Sequence, residues 1–129
     1  MSKKTPRVSV LTPIYNTNPE HLRAMIESIL NQTFTDFEFL ILNDSPDNTE
    51  IEKIVLDYAK RDKRIKYSKN DKNMGISLAR NKLLDMARGE YIAIMDHFLF
   101  ASSSATIIQV FSQNFIIPYY FTTKNRKSK

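Results

Sequence analysis

Residues 73–96 constrain the fold most, because they predict a turn, a helix, a strand and an acid in direct succession. Residues 73–75 suit a turn with positive φ, and apolar residues at helical spacing then predict a helix that residues 88–89 close. Residues 91–95 are apolar without alternation, which is typical of a parallel strand covered by helices on both faces. Such a strand brings Asp96 to its carboxyl end, where open α/β sheets bind their ligands.

The preceding residues alternate strands with helices. We predict strands at residues 8–14, 37–42 and 65–68, and helices from Pro19 to about Gln32 and from Ile51 to Lys60 or Arg61. The first strand, rich in β-branched residues, is the predicted central one, and the polar alternation of the third places it nearer an edge. The fold class is therefore α/β: a Rossmann-like three-layer half-domain with a mostly parallel sheet and right-handed crossovers.

The charge pattern argues against a nucleic-acid partner. All 14 acids lie within residues 1–96, whereas four of the positive charges that give the net +5 fall in the last six residues. The basicity is thus a property of the tail, which we expect to be a solvated chain end. The alternative is that the tail makes peripheral contact with an anionic membrane. The chain has no cysteine, no secretory signal and no apolar run of about 20 residues, so we expect a cytoplasmic protein, with the inner face of the membrane as an alternative.

Polar side chains follow the predicted strands at the sheet edge where ligands bind. Thr12 lies near the end of the first strand and Tyr15 and Asn16 follow it, Asp44 follows the second strand, and Asp96 follows the fourth. A tyrosine ring can stack on a nucleobase and a carboxylate can accept a base N–H, which favours a nucleotide site. Each residue also has a structural alternative: Asp44 and Asp96 suit helix-capping turns, and Tyr15 suits a cover for the sheet edge.

Four segments together resemble the amino-terminal half of family 2 glycosyltransferases of the GT-A type: residues 8–16, 26–39, 42–45 and 73–96. The resemblance implies binding of a nucleotide-diphospho-sugar, commonly a UDP-sugar, for transfer to an acceptor hydroxyl in glycan or surface polysaccharide synthesis. It implies a nucleotide-binding set made of Thr12, Pro13, Tyr15, Asn16, Asp44, Gly75, Arg80 and Asp96. Asn43 stands where the family usually has an acid, and a helix-surface salt bridge is the alternative role for Arg80.

The resemblance also implies a divalent cation, Mn²⁺ or Mg²⁺, bound by a DxD motif. Asp96 matches its first acid, and His97 is the variable middle residue that could coordinate manganese. Phe98 replaces the final ligating aspartate, and phenylalanine cannot bind a hard cation, which prefers oxygen. We therefore expect metal binding to be weakened, with Asp96 and His97 as the remaining candidate ligands, and we assign no catalytic residue.

Composition changes abruptly at Phe98. We predict two regions: a nucleotide-sugar-binding half-domain over residues 1–97 and an atypical basic and aromatic tail over 98–129. One hypothesis is that a reading-frame change after the His97 codon produced the tail, and the alternative is a short relative whose tail docks on the sheet as a helix over 107–115. No carboxylate general base is present after Asp96.

Two other function classes remain open. The first is a catalytically inactive, truncated interaction module that self-associates or binds a partner glycosyltransferase through uncovered apolar surface. The second is another doubly wound protein, such as a dinucleotide oxidoreductase or a receiver domain. The chain lacks the G-x-G-x-x-G motif of a dinucleotide oxidoreductase, and it lacks the acidic cluster of a receiver domain.

Overall fold

The computed structural model describes residues 5–95, 108–110, 115–117 and 122–124. In chain order the elements are β1 (Val8–Ile14), α1 (Pro19–Leu30), β2 (Phe37–Asn43), α2 (Thr49–Arg61), β3 (Ile65–Lys69), α3 (Ile76–Met86), β4 (Tyr91–Ile94), β5 (Ile108–Val110), β6 (Phe115–Ile117) and β7 (Thr122–Lys124). The predicted alternation of strands and helices is confirmed. The ends of the elements differ slightly from the predicted ones; for example, α1 ends at Leu30 and β4 ends at Ile94.

The main sheet has the order β3-β2-β1-β4-β7. The strands β1 to β4 are parallel, and β7 pairs antiparallel with β4. The prediction that β1 is central and that β3 lies at an edge is confirmed. In the register of β1 and β2, Ile14 lies opposite Asn43, so both strands deliver the residues that follow them to the same edge.

Helices cover both faces of the sheet, as predicted. The larger core cluster joins alternate residues of β1 and β2 to the apolar sides of α1 and α2. The smaller cluster lies on the opposite face, where Leu11, Leu40 and Leu42 pack against Ala79 and Leu83 of α3. Because successive strand residues face opposite sides, this division follows from the period-2 pattern of the strands. Within the described ranges, no helix is long and apolar enough to span a bilayer.

Asparagine side chains cap the first two helices. Asn18 Oδ1 accepts hydrogen bonds from the backbone N–H groups of Glu20 (2.9 Å) and His21 (3.2 Å), with Pro19 at the first helical position. Asn48 Oδ1 accepts from the Ile51 N–H at 3.2 Å. α3 instead begins after Gly75, which has a φ of 91° and confirms the predicted positive-φ turn.

Gly89 has a different role from the expected helix closure. Its φ is not positive, and the α3 C-cap is Ala87. A Cβ atom at Gly89 would lie 2.7 Å from the Ser9 backbone nitrogen and 2.8 Å from the Val8 carbonyl carbon. The position is therefore glycine because β1 passes so close that no side chain fits.

Glu38, a residue of β2, stabilises the close contact between Gly89 and β1. Its side chain is buried at 4% exposure, and Oε2 accepts from the Ser9 hydroxyl (2.5 Å) and from the Arg88 N–H (2.8 Å). The Gly89 N–H in turn donates to Ser9 Oγ at 2.7 Å. The segment that leaves α3 is thus fixed to both β1 and β2 by buried hydrogen bonds.

The alternative of a tail helix over residues 107–115 is wrong, because residues 108–110 form a strand. β5 and β6 pair antiparallel, with Ile108 opposite Ile117 and Val110 opposite Phe115. Both segments are rich in β-branched and aromatic residues, which favour strands over helices. Part of the tail does meet the sheet, but it does so as the strand β7 beside β4.

A hydrogen-bond chain joins β2, β3 and α2. The Tyr67 hydroxyl donates to Glu52 Oε2 at 3.0 Å and accepts from Asn43 Nδ2 at 3.2 Å. Glu52 also pairs with Lys69 at 3.0 Å, and the Lys69 hydrogen bond, followed by that of Tyr67, lowers the pKa of the Glu52 carboxyl. Burial, reinforced by Glu52, raises the pKa of Tyr67 to about 12. The protonated Tyr67 hydroxyl is therefore the form that the fold requires.

We expect Gly89→Ala to lower the free energy of unfolding by about 1–3 kcal/mol, because the new methyl group must displace the β1 backbone. Urea unfolding of the whole chain measures the change. The matched control is Ser77→Ala at an exposed position of α3, which should leave stability within about 0.5 kcal/mol of wild type. Equal stability of Gly89→Ala and wild type would contradict the close packing.

Tyr67 should make stability depend on pH in alkaline solution. Its folded pKa of about 12 exceeds the ordinary value of 10.0, so its contribution is complete below pH 10 and is lost as the pH rises towards 12. Tyr67→Phe should therefore lose stability less steeply than wild type across this range in urea unfolding. Leu56→Ala, at an exposed position of α2, should follow the wild-type slope. Parallel curves for wild type and Tyr67→Phe would refute this prediction.

Candidate functional site

A groove of two adjoining pockets lies at the carboxyl edge of the parallel strands. The pockets have volumes of about 610 Å³ and about 400 Å³, and Tyr15, Asp44 and Asn73 line both. These residues follow β1, follow β2 and precede α3, respectively. The groove therefore lies where the topology of a parallel sheet places ligand sites.

Asp44 forms the centre of the groove. It is buried at 4% exposure, yet both carboxylate oxygens accept hydrogen bonds. Oδ1 accepts from Asn70 Nδ2 (2.7 Å) and the Met74 N–H (2.8 Å), and Oδ2 accepts from the Gly75 N–H (2.9 Å). A buried carboxylate is tolerated only when such donors replace its lost hydration, so Asp44 and the loop before α3 stabilise each other.

A second set of hydrogen bonds fixes the loop that carries Tyr15. Asn16 has a φ of 45°, and its N–H donates to Ser45 Oγ at 3.0 Å. The Ser45 hydroxyl donates to Asn43 Oδ1 at 2.7 Å, which also accepts from the Ser45 N–H at 2.8 Å. Asn48 Nδ2 donates to Asn16 Oδ1 at 3.0 Å. The neutral amide of Asn43 thus positions the loop, while its other end binds Tyr67.

Tyr15 presents its ring to solvent at the junction of the two pockets. The residue is 51% exposed although its neighbours Ile14 and Thr17 are buried. Its backbone N–H donates to Thr17 Oγ1 at 3.3 Å, which orients the turn. A large exposed aromatic ring on a fixed backbone offers a flat apolar face to a planar ligand.

The structure brings together five of the predicted site residues: Pro13, Tyr15, Asn16, Asp44 and Gly75 line the groove.

Two others do not line the groove. Thr12 is fully buried among the residues that face α1 and α2, because it alternates with Pro13 along β1, and its hydroxyl has no partner within the described part of the chain. Arg80 lies half-buried on α3 outside both linings. Asp96 and His97 lie outside the described residues.

Sequence reasoning missed the loop from residue 70 to 73. Asn70 is buried at 4% exposure, and Asn73 lines both pockets. Lys82 of α3 donates to Asn70 Oδ1 at 2.9 Å. The sequence could have indicated these residues by their position, because this polar loop follows β3 and so lies at the same edge of the sheet as Tyr15 and Asp44.

The larger pocket is acidic, with Asp44, Asp47, Glu50 and Asp71 around it and Lys72 as its cationic residue. These acids do not form a metal site: no group of three or more His, Cys, Asp or Glu side chains suited to a metal occurs in the part of the chain that the structure describes. Asp44 is moreover engaged by three donors. The described residues therefore do not fit the Mn²⁺ or Mg²⁺ that the resemblance implies, and the candidate ligands Asp96 and His97 lie outside them.

Comparison with known proteins identifies the family. The model of Glycosyl transferase family 2 matches residues 9–99. An uncharacterised glycosyltransferase of Methanocaldococcus jannaschii is 47% identical over 91 residues, which are 70% of this chain and 31% of the relative. The putative glycosyltransferase EpsH of Bacillus subtilis is 41% identical over 98 residues, or 72% of this chain and 26% of that protein. The chain thus spans about a third or less of the length of these relatives.

Solved structures support the same fold. The mannosyltransferase PcManGT from Pyrobaculum calidifontis, in complex with GDP-Man and Mn²⁺, has a TM-score of 0.63 at 24% identity, covering 73% of this chain and 28% of that one. TarS from S. aureus, in complex with UDP-GlcNAc, has a TM-score of 0.62 at 25% identity, covering 78% and 33%. With the family model covering most of the chain and relatives above 40% identity, this protein belongs to glycosyl transferase family 2 and has the Rossmann-like GT-A architecture at its amino-terminal part.

Proposed function

We propose that the groove binds the nucleotide of a nucleotide-diphospho-sugar, most simply a UDP-sugar, for transfer to an acceptor hydroxyl in glycan or surface polysaccharide synthesis. The observation that carries this proposal is the juxtaposition of Tyr15 and Asp44 on one groove. An exposed aromatic face and a fixed carboxylate acceptor are the two features that a base with an N–H edge requires. The UDP-GlcNAc complex of the structural relative TarS supports the choice of donor class.

The remaining predicted residues extend the proposed site from the base towards the diphosphate. Gly75 lines the smaller pocket at the start of α3, where the partial positive charge of a helix N-terminus favours anions. Arg80 follows on the same helix, and its positive charge adds to that field. Thr12, which precedes Pro13 in β1, and Asp96, which lies outside the described residues, complete the proposed set as the resemblance implies it.

Transfer itself requires more than this groove. An acceptor hydroxyl must attack the anomeric carbon while a base removes its proton, and a divalent cation supplies charge stabilisation for the departing diphosphate when it is bound. We assign residues 1–97 to donor binding and residues 98–129 to a tail, of which β7 joins the main sheet. Because Phe98 cannot serve as the third metal ligand, we propose that transfer by this chain alone is weak.

The proposal includes a cytoplasmic location. The cluster of basic residues at the end of the chain would there meet the anionic inner face of the membrane.

Tyr15→Ala should weaken UDP binding about tenfold in isothermal titration calorimetry, because base stacking on an aromatic ring is lost. Tyr15→Phe keeps the ring and should bind within about twofold of wild type. Leu56→Ala, an exposed substitution on α2, controls for general surface effects. The proposal fails if wild type gives no heat with millimolar UDP, or if Tyr15→Ala binds as tightly as wild type.

An interaction module is the second candidate function, and it is favoured by exposed apolar side chains at α3. Leu78 is 52% exposed and Ile76, also in the first turn of the helix, is 50% exposed. If this surface binds a second copy, Leu78→Ser should shift the protein towards monomer in sedimentation velocity, whereas Leu56→Ser at a comparably exposed position on α2 should not. A monomeric wild type over the accessible concentration range would exclude self-association.

A further inference from the structure

We propose that Asn70, oriented by Lys82, sets the base selectivity of the groove by leaving Asp44 with a single open acceptor position. The inference rests on the proposed nucleotide site and deepens it, because it names the class of base that the site accepts. Asn70 acts through Asp44 and is therefore a positioning residue.

Three hydrogen bonds hold Asn70 in position. Its backbone N–H donates to the Asn43 carbonyl at 3.0 Å, which extends the β2–β3 pairing by one residue. Its side-chain Nδ2 donates to Asp44 Oδ1 at 2.7 Å, and its Oδ1 accepts from Lys82 Nζ at 2.9 Å. With only 4% of its surface exposed, the residue cannot exchange these partners for water without opening the loop.

Lys82 fixes which end of the amide faces Asp44. An ammonium group can only donate, so the amide oxygen must point to Lys82 and the amide nitrogen to Asp44. A reversed amide would place its N–H₂ against the ammonium group and its oxygen against a carboxylate oxygen, with no hydrogen bond at either end. The lysine charge therefore holds Asn70 as a donor to Asp44.

The consequence for Asp44 follows from counting acceptor positions. An ionised carboxylate has about four, two on each oxygen. The Oδ1 positions are used by Asn70 Nδ2 and the Met74 N–H, and one Oδ2 position is used by the Gly75 N–H. With the donors of the described residues counted, a single position on Oδ2 is left for a ligand.

One open acceptor matches one kind of base edge. The imide edge of uracil presents a single N–H between two carbonyl groups, and that N–H can bind Oδ2. The corresponding edge of guanine presents two adjacent donors, which need both oxygens of a carboxylate, and here Asn70 and Met74 occupy Oδ1. Guanine would leave a buried donor unpaired, which typically lowers affinity about tenfold or more.

The experiment compares UDP with GDP, titrated calorimetrically into wild type, Asn70→Ala and Lys82→Met. We expect wild type to prefer UDP by about tenfold, and Asn70→Ala to reduce that ratio towards one because Oδ1 regains an open acceptor position. Lys82→Met should reduce the ratio in the same direction by a smaller factor. The matched control is Lys53→Met, an exposed lysine on α2, which should keep the wild-type ratio.

The selectivity ratio separates the proposed role from a structural one, because a general loosening of the loop would weaken both nucleotides equally. Equal affinity of wild type for UDP and GDP, or an unchanged ratio in Asn70→Ala, would overturn the inference while leaving nucleotide binding intact. If Asn70→Ala does not fold, an unchanged ratio in Lys82→Met overturns it. Failure of wild type to bind either nucleotide would refute the proposed function, and the inference with it.

Discussion

The buried carboxylate of Asp44 is the interaction on which the site depends. A charge with 4% exposure is stable only if donors replace its water, and here the donors come from the loop that connects β3 to α3. The same loop carries Asn73 into the groove. Asp44 therefore cannot lose its partners without moving the wall of the pocket, and the pocket is preorganised by the requirement to satisfy a buried charge.

β2 holds α3 at both ends through two such acids. Asp44 accepts from Gly75 just before the helix, and Glu38 accepts from Arg88 just after it. The 11-residue helix is roughly 16 Å long, and the six steps along the chain from Glu38 to Asp44 span roughly 20 Å. The spacing of the acids thus matches the helix. α3 buries Ala79 and Leu83 against the sheet, a small apolar contact. The hydrogen bonds to Asp44 and Glu38 therefore add to the attachment of the helix.

The sequence specified the elements well because the apolar periodicities are strong and the capping residues are clear. It also placed Tyr15 and Asp44 on one edge, since strand order follows from alternation with helices. What it could not specify were contacts between side chains distant in sequence, such as Lys82 with Asn70 or Glu38 with Ser9. The steric role of Gly89 depends on how closely β1 passes, which no local pattern encodes. The alternative of a tail helix was wrong because short apolar runs suit a helix and a strand equally.

One continuous span of the chain builds the groove. Every residue that lines the two pockets falls between Pro13 and Ala79, and the hydrogen bonds that fix Tyr15 and Asp44 come from the same span. Residues 96–98, where the resemblance implies a metal motif, lie outside that span. The proposed weakening of transfer at Phe98 and the proposed recognition of the base, set by hydrogen bonds among Asp44, Asn70 and Lys82, therefore depend on different parts of the chain.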